Sequence, residues 1–318
     1  MRRTLQLLAV LVFLVTLVSG SVAHAALLDR VYVSEVDGKD VPSCGPIQKP
    51  CKTFAFSETQ AAARGRVIVL NSGEYGPVTI TKSLTIEAPA GVYAEAASTG
   101  THTIVVQAAA TDVVVLRGLT IRGPGDSGIF GDTFGSLHIE NCVIFGFTNG
   151  GIDACRAGKI HVKDTTIRDC GSGIGAGYCF PNLTGTVEML VEHCRVERTR
   201  GAIGAGSGAQ VTVRDTTASS NQFGFTAAAR AGTSAELTVE NSLVCDTRAS
   251  GVPFAGGQGV AVFFAGGGAI ARISNTVLVN NDIGVLRSAG TIYTFGNNKI
   301  HGNTQDIVGG PLTPVPQQ

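Results

Sequence analysis

Leu137-His-Ile-Glu-Asn-Cys-Val-Ile144 returns as Ile160-His-Val-Lys-Asp-Thr-Thr-Ile167, Met189-Leu-Val-Glu-His-Cys-Arg-Val196 and Val211-Thr-Val-Arg-Asp-Thr-Thr-Ala218. Further copies are Leu237-Thr-Val-Glu-Asn-Ser-Leu-Val244, Ala271-Arg-Ile-Ser-Asn-Thr-Val-Leu278 and the weaker Tyr293-Thr-Phe-Gly-Asn-Asn-Lys-Ile300, with Val114 to Ile121 upstream. From Val114 onward the starts are 23, 23, 29, 22, 26, 34 and 22 residues apart. Alternation of period two turns Ile139, Val162, Val191, Val213, Val239 and Ile273 toward one face. A second signal follows each start: Gly128-Ile129, Gly151-Ile152, Gly173-Ile174, Ala202-Ile203, Gly224-Phe225, Gly251-Val252 and Gly284-Val285, the apolar member 14 or 15 residues along. The unit reads strand, turn, strand, turn, strand, and recurrence at this period marks a solenoid.

One such unit buries little, but copies stacked at about 4.8 Å pair their backbones and build a continuous aliphatic core. Asn141, Asp164, Asp215, Asn241, Asn275 and Asn297 share one turn position, with Gly118 and His193 as exceptions. An amide there satisfies turn backbone groups or pairs with the next copy. The preceding residue runs Arg117, Glu140, Lys163, Glu192, Arg214, Glu240, so opposite charges face each other on neighbouring coils. That ladder assigns Glu140, Glu192 and Glu240 to architecture rather than catalysis. A leucine-rich repeat shares the period, yet leucine does not dominate here and no helical segment separates the units.

Upstream lie Val31-Tyr32-Val33-Ser34, Pro50-Cys51-Lys52-Thr53-Phe54, Val67 to Leu70, Gly73-Glu74-Tyr75 and Ile80-Thr-Lys-Ser-Leu-Thr-Ile86. With these and the repeats at 114–300, the chain resembles the pectin-lyase-like superfamily, in particular its small secreted proteins of parallel β-helix repeats. The resemblance implies an all-β fold, a single-stranded right-handed parallel β-helix with a short N-terminal capping helix. Local propensity places that helix over Phe54 to Ala63, with Gly65 as its stop. It would cover a solenoid end that otherwise exposes apolar side chains and strand edges. The expected organisation is a signal peptide at 1–25, leader and cap at 26–66, β-helix at 67–308 and a flexible tail at 309–318.

Arg2 and Arg3, then the apolar run Leu7 to Val18, then Ala23-His24-Ala25 have the form of a secretory signal peptide. The run is 12 residues, short of the roughly 20 that a spanning helix needs, so the expected product begins at Ala26 and has no membrane span. Secretion or periplasmic release follows. Without the two leader arginines, 22 basic residues face 24 acidic ones, too balanced to steer toward nucleic acid. The 42 glycines and the low charged fraction of 15% suit strands joined by tight turns. Oligomeric state is not readable.

Export makes disulfides the default for eight cysteines. Cys44 and Cys51 bracket a short polar loop, and Cys155 and Cys179 stand 18 and 19 residues after the starts of adjacent coils, so both pairs are expected to bridge. Cys142 and Cys194 share a position two coils apart, about 9.6 Å and too far to join. Cys170 and Cys245 have no evident partner. No spacing calls for a metal; His138 and His161 stack on one outward face as a surface pair. No cofactor is expected.

Catalysis in the superfamily rests on acidic clusters with a basic or histidine partner on one sheet's outer face. Its motifs are missing here: no Asn-Thr-Asp with a paired Asp-Asp, no Gly-His-Gly, no Arg-Ile-Lys. No catalytic residue carries over. Asp132 and Asp153, on the outer face of the strand bearing the second signal, with Arg156 close behind, are the expected substrate-binding residues. Neither aspartate has a histidine, lysine or third carboxylate in its sequence pattern to split an acid from a base. Gly175, Gly177, Gly204 and Gly206 predict a smooth strip beside them, and the chain has no tryptophan and 5 tyrosines for sugar platforms. In the longest coil, Phe254, Phe263 and Phe264 within Pro253 to Gly268 form either a contact loop or part of the core. Asn182-Leu183-Thr184 is an N-glycosylation sequon that decides nothing by itself. The expected function is an exported non-catalytic scaffold or carbohydrate-binding protein whose partner is an extracellular or cell-wall polysaccharide. The alternative is a polysaccharide lyase or glycoside hydrolase acting on an acidic glycan.

Overall fold

The computed structural model describes residues 27–178, 185–249 and 259–316. The leader, Cys179, the sequon, the Gly251-Val252 pair and Phe254 lie outside the described residues. The chain winds as a parallel β-helix whose strands form three sheets, one of 12 strands and two of 10. One coil shows the plan: Ser136–Glu140 joins the 12-stranded sheet, Val143–Phe145 a sheet of short strands, and Gly150–Ala154 the third. Right-handed crossovers are the rule for parallel strands because a twisted strand packs back onto its sheet only that way.

The inward face is the one the alternation predicts. Ile139, Val162, Val191, Val213, Val239 and Ile273 stack in register and are 0% exposed. Each buried aliphatic of this kind contributes about 1.5–3 kcal/mol of transfer free energy. In the third sheet, Ile129, Ile152, Ile174, Ile203 and Phe225 form a second apolar row. The next member is Val262, not the expected Val252. The insertion of the longest coil therefore enters before this strand, and period two then points Val262 and Phe264 inward and Phe263 outward.

The asparagine row pairs with the next copy and serves turn backbone groups as its sequence suggests, Asn297 Oδ1 accepting from the Asn275 N–H at 2.9 Å. Its backbone conformation adds a second reason for these residue types. Asn141, Asp164, His193, Asp215, Asn241 and Asn275 all hold positive φ, between 45° and 52°, and Gly118 holds 72°. The turn requires the left-handed region, which glycine and asparagine or aspartate tolerate best. The row is exposed. Its amides form a surface ladder, Asn275 Nδ2 donating to Asn241 Oδ1 at 2.9 Å and Asn241 Nδ2 donating to Asp215. A second row is buried: Asn221 and Asn281, both 0% exposed, in the turns that lead into the third sheet. Asn281 Oδ1 accepts from the Thr247 N–H and hydroxyl at 3.0 and 2.7 Å, and its Nδ2 donates to Val244 O at 3.2 Å and Asn303 Oδ1 at 2.8 Å.

The charge ladder runs as expected and begins one coil earlier, at Glu87. Arg117 reaches Glu87 at 3.6 Å and Glu140 at 2.8 Å, Lys163 reaches Glu192 at 3.7 Å, and Arg214 reaches Glu240 at 3.3 Å. His138 and His161 meet edge to face at 6.0 Å, and His161 Nε2 lies 2.8 Å from Glu192 Oε1.

The capping helix spans Phe54–Gln60, with Thr53 accepting from the Phe56 N–H. It is shorter than propensity suggests, and Gly65 is not its stop. Ala61 turns extended (φ −78°, ψ 136°) because Ala61–Val69 pairs with Leu28–Val33, so ladder hydrogen bonds override helix propensity. Phe54 buries its ring 5.1 Å from that of Tyr75. Cys44 and Cys51 are bridged. Cys155 is disulfide-bonded, while its expected partner Cys179 is not described. Cys142, Cys170 and Cys194 are free and buried, and Cys245 is free and partly exposed. Burial pushes the Cys142 thiol up to about 12 and that of Cys194 to about 11. At the C-terminal end, Thr313–Pro314 pairs with Tyr293 and Thr294. No helix among the described residues is long and apolar enough to cross a membrane.

Candidate functional site

Outward residues of the third sheet line a groove of about 600 Å³. It crosses seven strands, from His102–Gln107 to Val260–Ala265. Six steps at the usual parallel spacing make it about 29 Å long.

Its aromatic walls come from rings that reach across adjacent strands three residues out of register. His102 pairs with Ser127 and Phe130 with Val105, while Phe223 pairs with Val260 and Phe263 with Thr226. At one end the His102 ring lies flat on that of Phe130, centroids 4.3 Å apart and planes at 9°. At the other, Phe223 and Phe263 meet at 5.6 Å. Between them lies Tyr178, its hydroxyl donating to Ala205 O at 3.1 Å and lying 3.3 Å from Thr226 Oγ1. The glycines expected to form a bare strip seat that ring. A Cβ on Gly204 would stand 2.7 Å from Tyr178 Cε2, and one on Gly175 would stand 3.7 Å from Cδ2. The strip is therefore an aromatic floor, built from a residue the sequence places in the following turn.

The acidic end holds Asp126, in the turn just before Ser127–Thr133, and Asp153, on the neighbouring strand Gly150–Ala154. Asp153 is half-buried and accepts from the Ser127 hydroxyl. Gly150 makes space for its carboxylate, since a Cβ there would stand 2.3 Å from Oδ1. Burial pushes the Asp153 carboxyl above its ordinary range and Asp126 adds to this, while the Ser127 hydrogen bond and His102 oppose it. Arg200 lines the groove three coils from Asp126, in the same turn row, a separation of about 14 Å.

The model of the right-handed β-helix region matches residues 102–263, a span that includes every strand of the groove up to Phe263. The chain belongs to this β-helix family. Among solved structures, this β-helix protein is similar to the pectate lyase Pel9A, with TM-score 0.51 and 13% identity over 89% of this chain and 74% of that one. It is also similar to the GH136 lacto-N-biosidase from Eubacterium ramulus, with TM-score 0.36 and 10% identity over 89% of this chain and 67% of that one. The pectate lyase likeness is one of fold. No curated protein matches the chain.

Of the three expected substrate-binding residues of this β-helix protein, Asp153 lines the groove and Asp132 and Arg156 do not. Asp132 does not stack with Asp153. The register pairs Asp153 with Phe130, which leaves Asp132 two residues farther along its strand. There Asp132 Oδ1 receives Arg156 Nε at 3.0 Å, so Arg156 neutralises Asp132 rather than Asp153. The expectation that the aspartates lack a histidine, lysine or third carboxylate nearby does not hold for Asp153, on which His102 and Asp126 both act. His102 escaped notice because it lies upstream of the first aligned repeat. Asp126 and Arg200 could have been found by reading the residues just before each glycine–apolar pair as a column. No group of three or more histidine, cysteine, aspartate or glutamate side chains able to hold a metal occurs among the described residues.

Proposed function

We propose that this chain is exported under the direction of its leader and acts as a non-catalytic glycan-binding protein of the cell exterior or periplasm. The observation that carries this reading is the groove itself: flat rings at both ends and in the middle, with carboxylates, hydroxyls and an arginine between them. Apolar faces of pyranose rings pack on aromatic side chains while their hydroxyls take the polar groups, the composition expected of a ligand site. Asp153 is the contact residue kept from the sequence reading. Asp132 and Arg156 satisfy each other at the groove's edge and act as a flank. The disulfide Cys44–Cys51 suits an oxidising compartment.

A hydrolase reading draws on one observation, the Asp153 carboxyl kept toward its neutral form beside the second carboxylate of Asp126. The geometry favours binding, because Asp126, in the turn leading into one strand, and Asp153, on the neighbouring strand, belong to one wall of the groove, not to opposed walls across a sugar.

One experiment tests both readings. Purified protein without the leader is screened against neutral, acidic and amine-bearing polysaccharides for retention, new reducing ends and unsaturated product. Retention without turnover is expected, and Gly204→Val, which would drive its side chain into the Tyr178 ring, should weaken it about tenfold or more. Turnover lost in Asp153→Asn would establish the hydrolase instead. Retention of no glycan would end the binding proposal.

A further inference from the structure

The charge distribution of the groove points to a class of glycan. On the 12-stranded sheet, carboxylates of the outer face sit in ion pairs along the ladder. On the groove sheet, Asp132 is likewise paired with Arg156. Asp126 and Asp153 differ. Among the described residues they form no ion pair, and their polar contacts are with the hydroxyls of Thr148 and Ser127. These two carboxylates line the same end of the groove as the His102–Phe130 stack, so negative charge and an aromatic face share that end. Arg200 lies about 14 Å away, so the nearest charge partner is His102, which eases the ionisation of Asp153 without forming an ion pair among the described residues.

We propose that the acidic end of the groove selects an amine-bearing glycan, whose protonated amino group lies between Asp126 and Asp153 with its pyranose ring against the aromatic wall. The inference rests on the glycan-binding reading. A cation supplies the charge that the fold withholds, and an aromatic face adds cation–π attraction to a desolvated ammonium. Arg200 disfavours a second amine at the far end and favours an acceptor such as a hydroxyl or acetyl oxygen there. A basic peptide shares the charge but suits the site less: a sheet face offers it no unpaired strand edge to extend, and the aromatic floor is flat. The pH dependence has a fixed sign. Burial holds Asp153 toward its neutral form, and an ammonium ion favours the charged one, so affinity falls as the solution is acidified.

Calorimetric titration of the full mature protein near neutral pH, with four trimeric probes, tests this. The probes are glucosamine trimer, its fully N-acetylated counterpart, galacturonate trimer and trilysine. The glucosamine trimer should bind about tenfold or more tightly than the acetylated one. Asp126→Asn and Asp153→Asn should each erase the difference, and Glu188→Gln, exposed on the 12-stranded sheet, should leave it unchanged. Equal or tighter binding of the acetylated or galacturonate trimer, lost in Gly204→Val, would overturn the selectivity and leave glycan binding standing. Binding of trilysine alone, or of no probe, would overturn both. Equal weakening by Glu188→Gln and Asp153→Asn would reduce the effect to general surface charge and overturn the selectivity.

Discussion

The two broad outer faces of this solenoid have the same backbone and opposite chemistry. On the 12-stranded sheet, outward positions form a self-neutralising column from Glu87 to Glu240, with each carboxylate between or beside cations. On the groove sheet the same stacking puts Phe130, Asp153, Gly175, Gly204, Thr226 and Phe263 in one outward column, where Asp153 has no ion pair among the described residues. The turns differ too. Those leaving the 12-stranded sheet hold exposed asparagines in the left-handed region, while two of those entering the groove sheet hold asparagines that are 0% exposed. Parallel stacking multiplies whatever one coil offers, so a face becomes inert when its column satisfies itself and receptive when it does not.

The largest effect should separate the two turns. Asn281→Leu leaves the Thr247 N–H and hydroxyl without their buried acceptor and removes the side-chain donor to the Val244 carbonyl. A loss of about 3 kcal/mol is expected, the scale for several orphaned buried polar groups. Asn241→Leu removes only exposed hydrogen bonds and forces a branched side chain to positive φ, at about 1 kcal/mol. Urea denaturation midpoints of the two variants compare them directly. Equal losses would mean that burial does not distinguish the turns.

A smaller effect probes the ladder. Glu140→Lys places a third cation in register between Arg117 and Lys163, which should cost about 1 kcal/mol of stability. Glycan retention should be unchanged. Reduced retention at full stability would show that the supposedly inert face contributes to ligand contact.

Most of the fold was legible because its signals are local and repeated. Alternation fixed the inward face, and a column of asparagine, aspartate and glycine marked the turn before its left-handed geometry was visible. The insertion before Val260 was misplaced because Gly251-Val252 imitates the repeat, and only strand pairing reveals Val262 as the true member. The candidate site was less legible, since it depends on register between coils of unequal length. Asp132 and Asp153 look equivalent along the chain and differ by two residues in the stack. Gly204 looks vacant in sequence, yet its missing side chain is what admits the ring of Tyr178. The buried Asn221 and Asn281 escaped for a simpler reason: the turn before the groove strand was never aligned as a column.

The smallest effect is the most discriminating, because its sign reverses between the faces. The Asp153 carboxyl is pushed up, by burial first and Asp126 next. A carboxyl raised in the folded state contributes stability that is fully present below the unfolded carboxylate range and lost as pH rises through the folded value. Asparagine cannot ionise, so Asp153→Asn should equal or exceed the parent in stability at neutral pH, with the advantage fading on acidification. Glu192, in the ladder, behaves oppositely. Burial opposes its ionisation, but His161 and Lys163 prevail and hold its carboxyl low. Its stabilisation is present above the unfolded range and lost as pH falls through the folded value, so Glu192→Gln should weaken the protein at neutral pH and match it in acid. Denaturation midpoints of the parent and both variants, taken at neutral and acidic pH, give the two differences. A loss at neutral pH for Asp153→Asn would mean that the groove carboxylate is compensated after all, and the contrast between a satisfied face and a receptive one would fall with it.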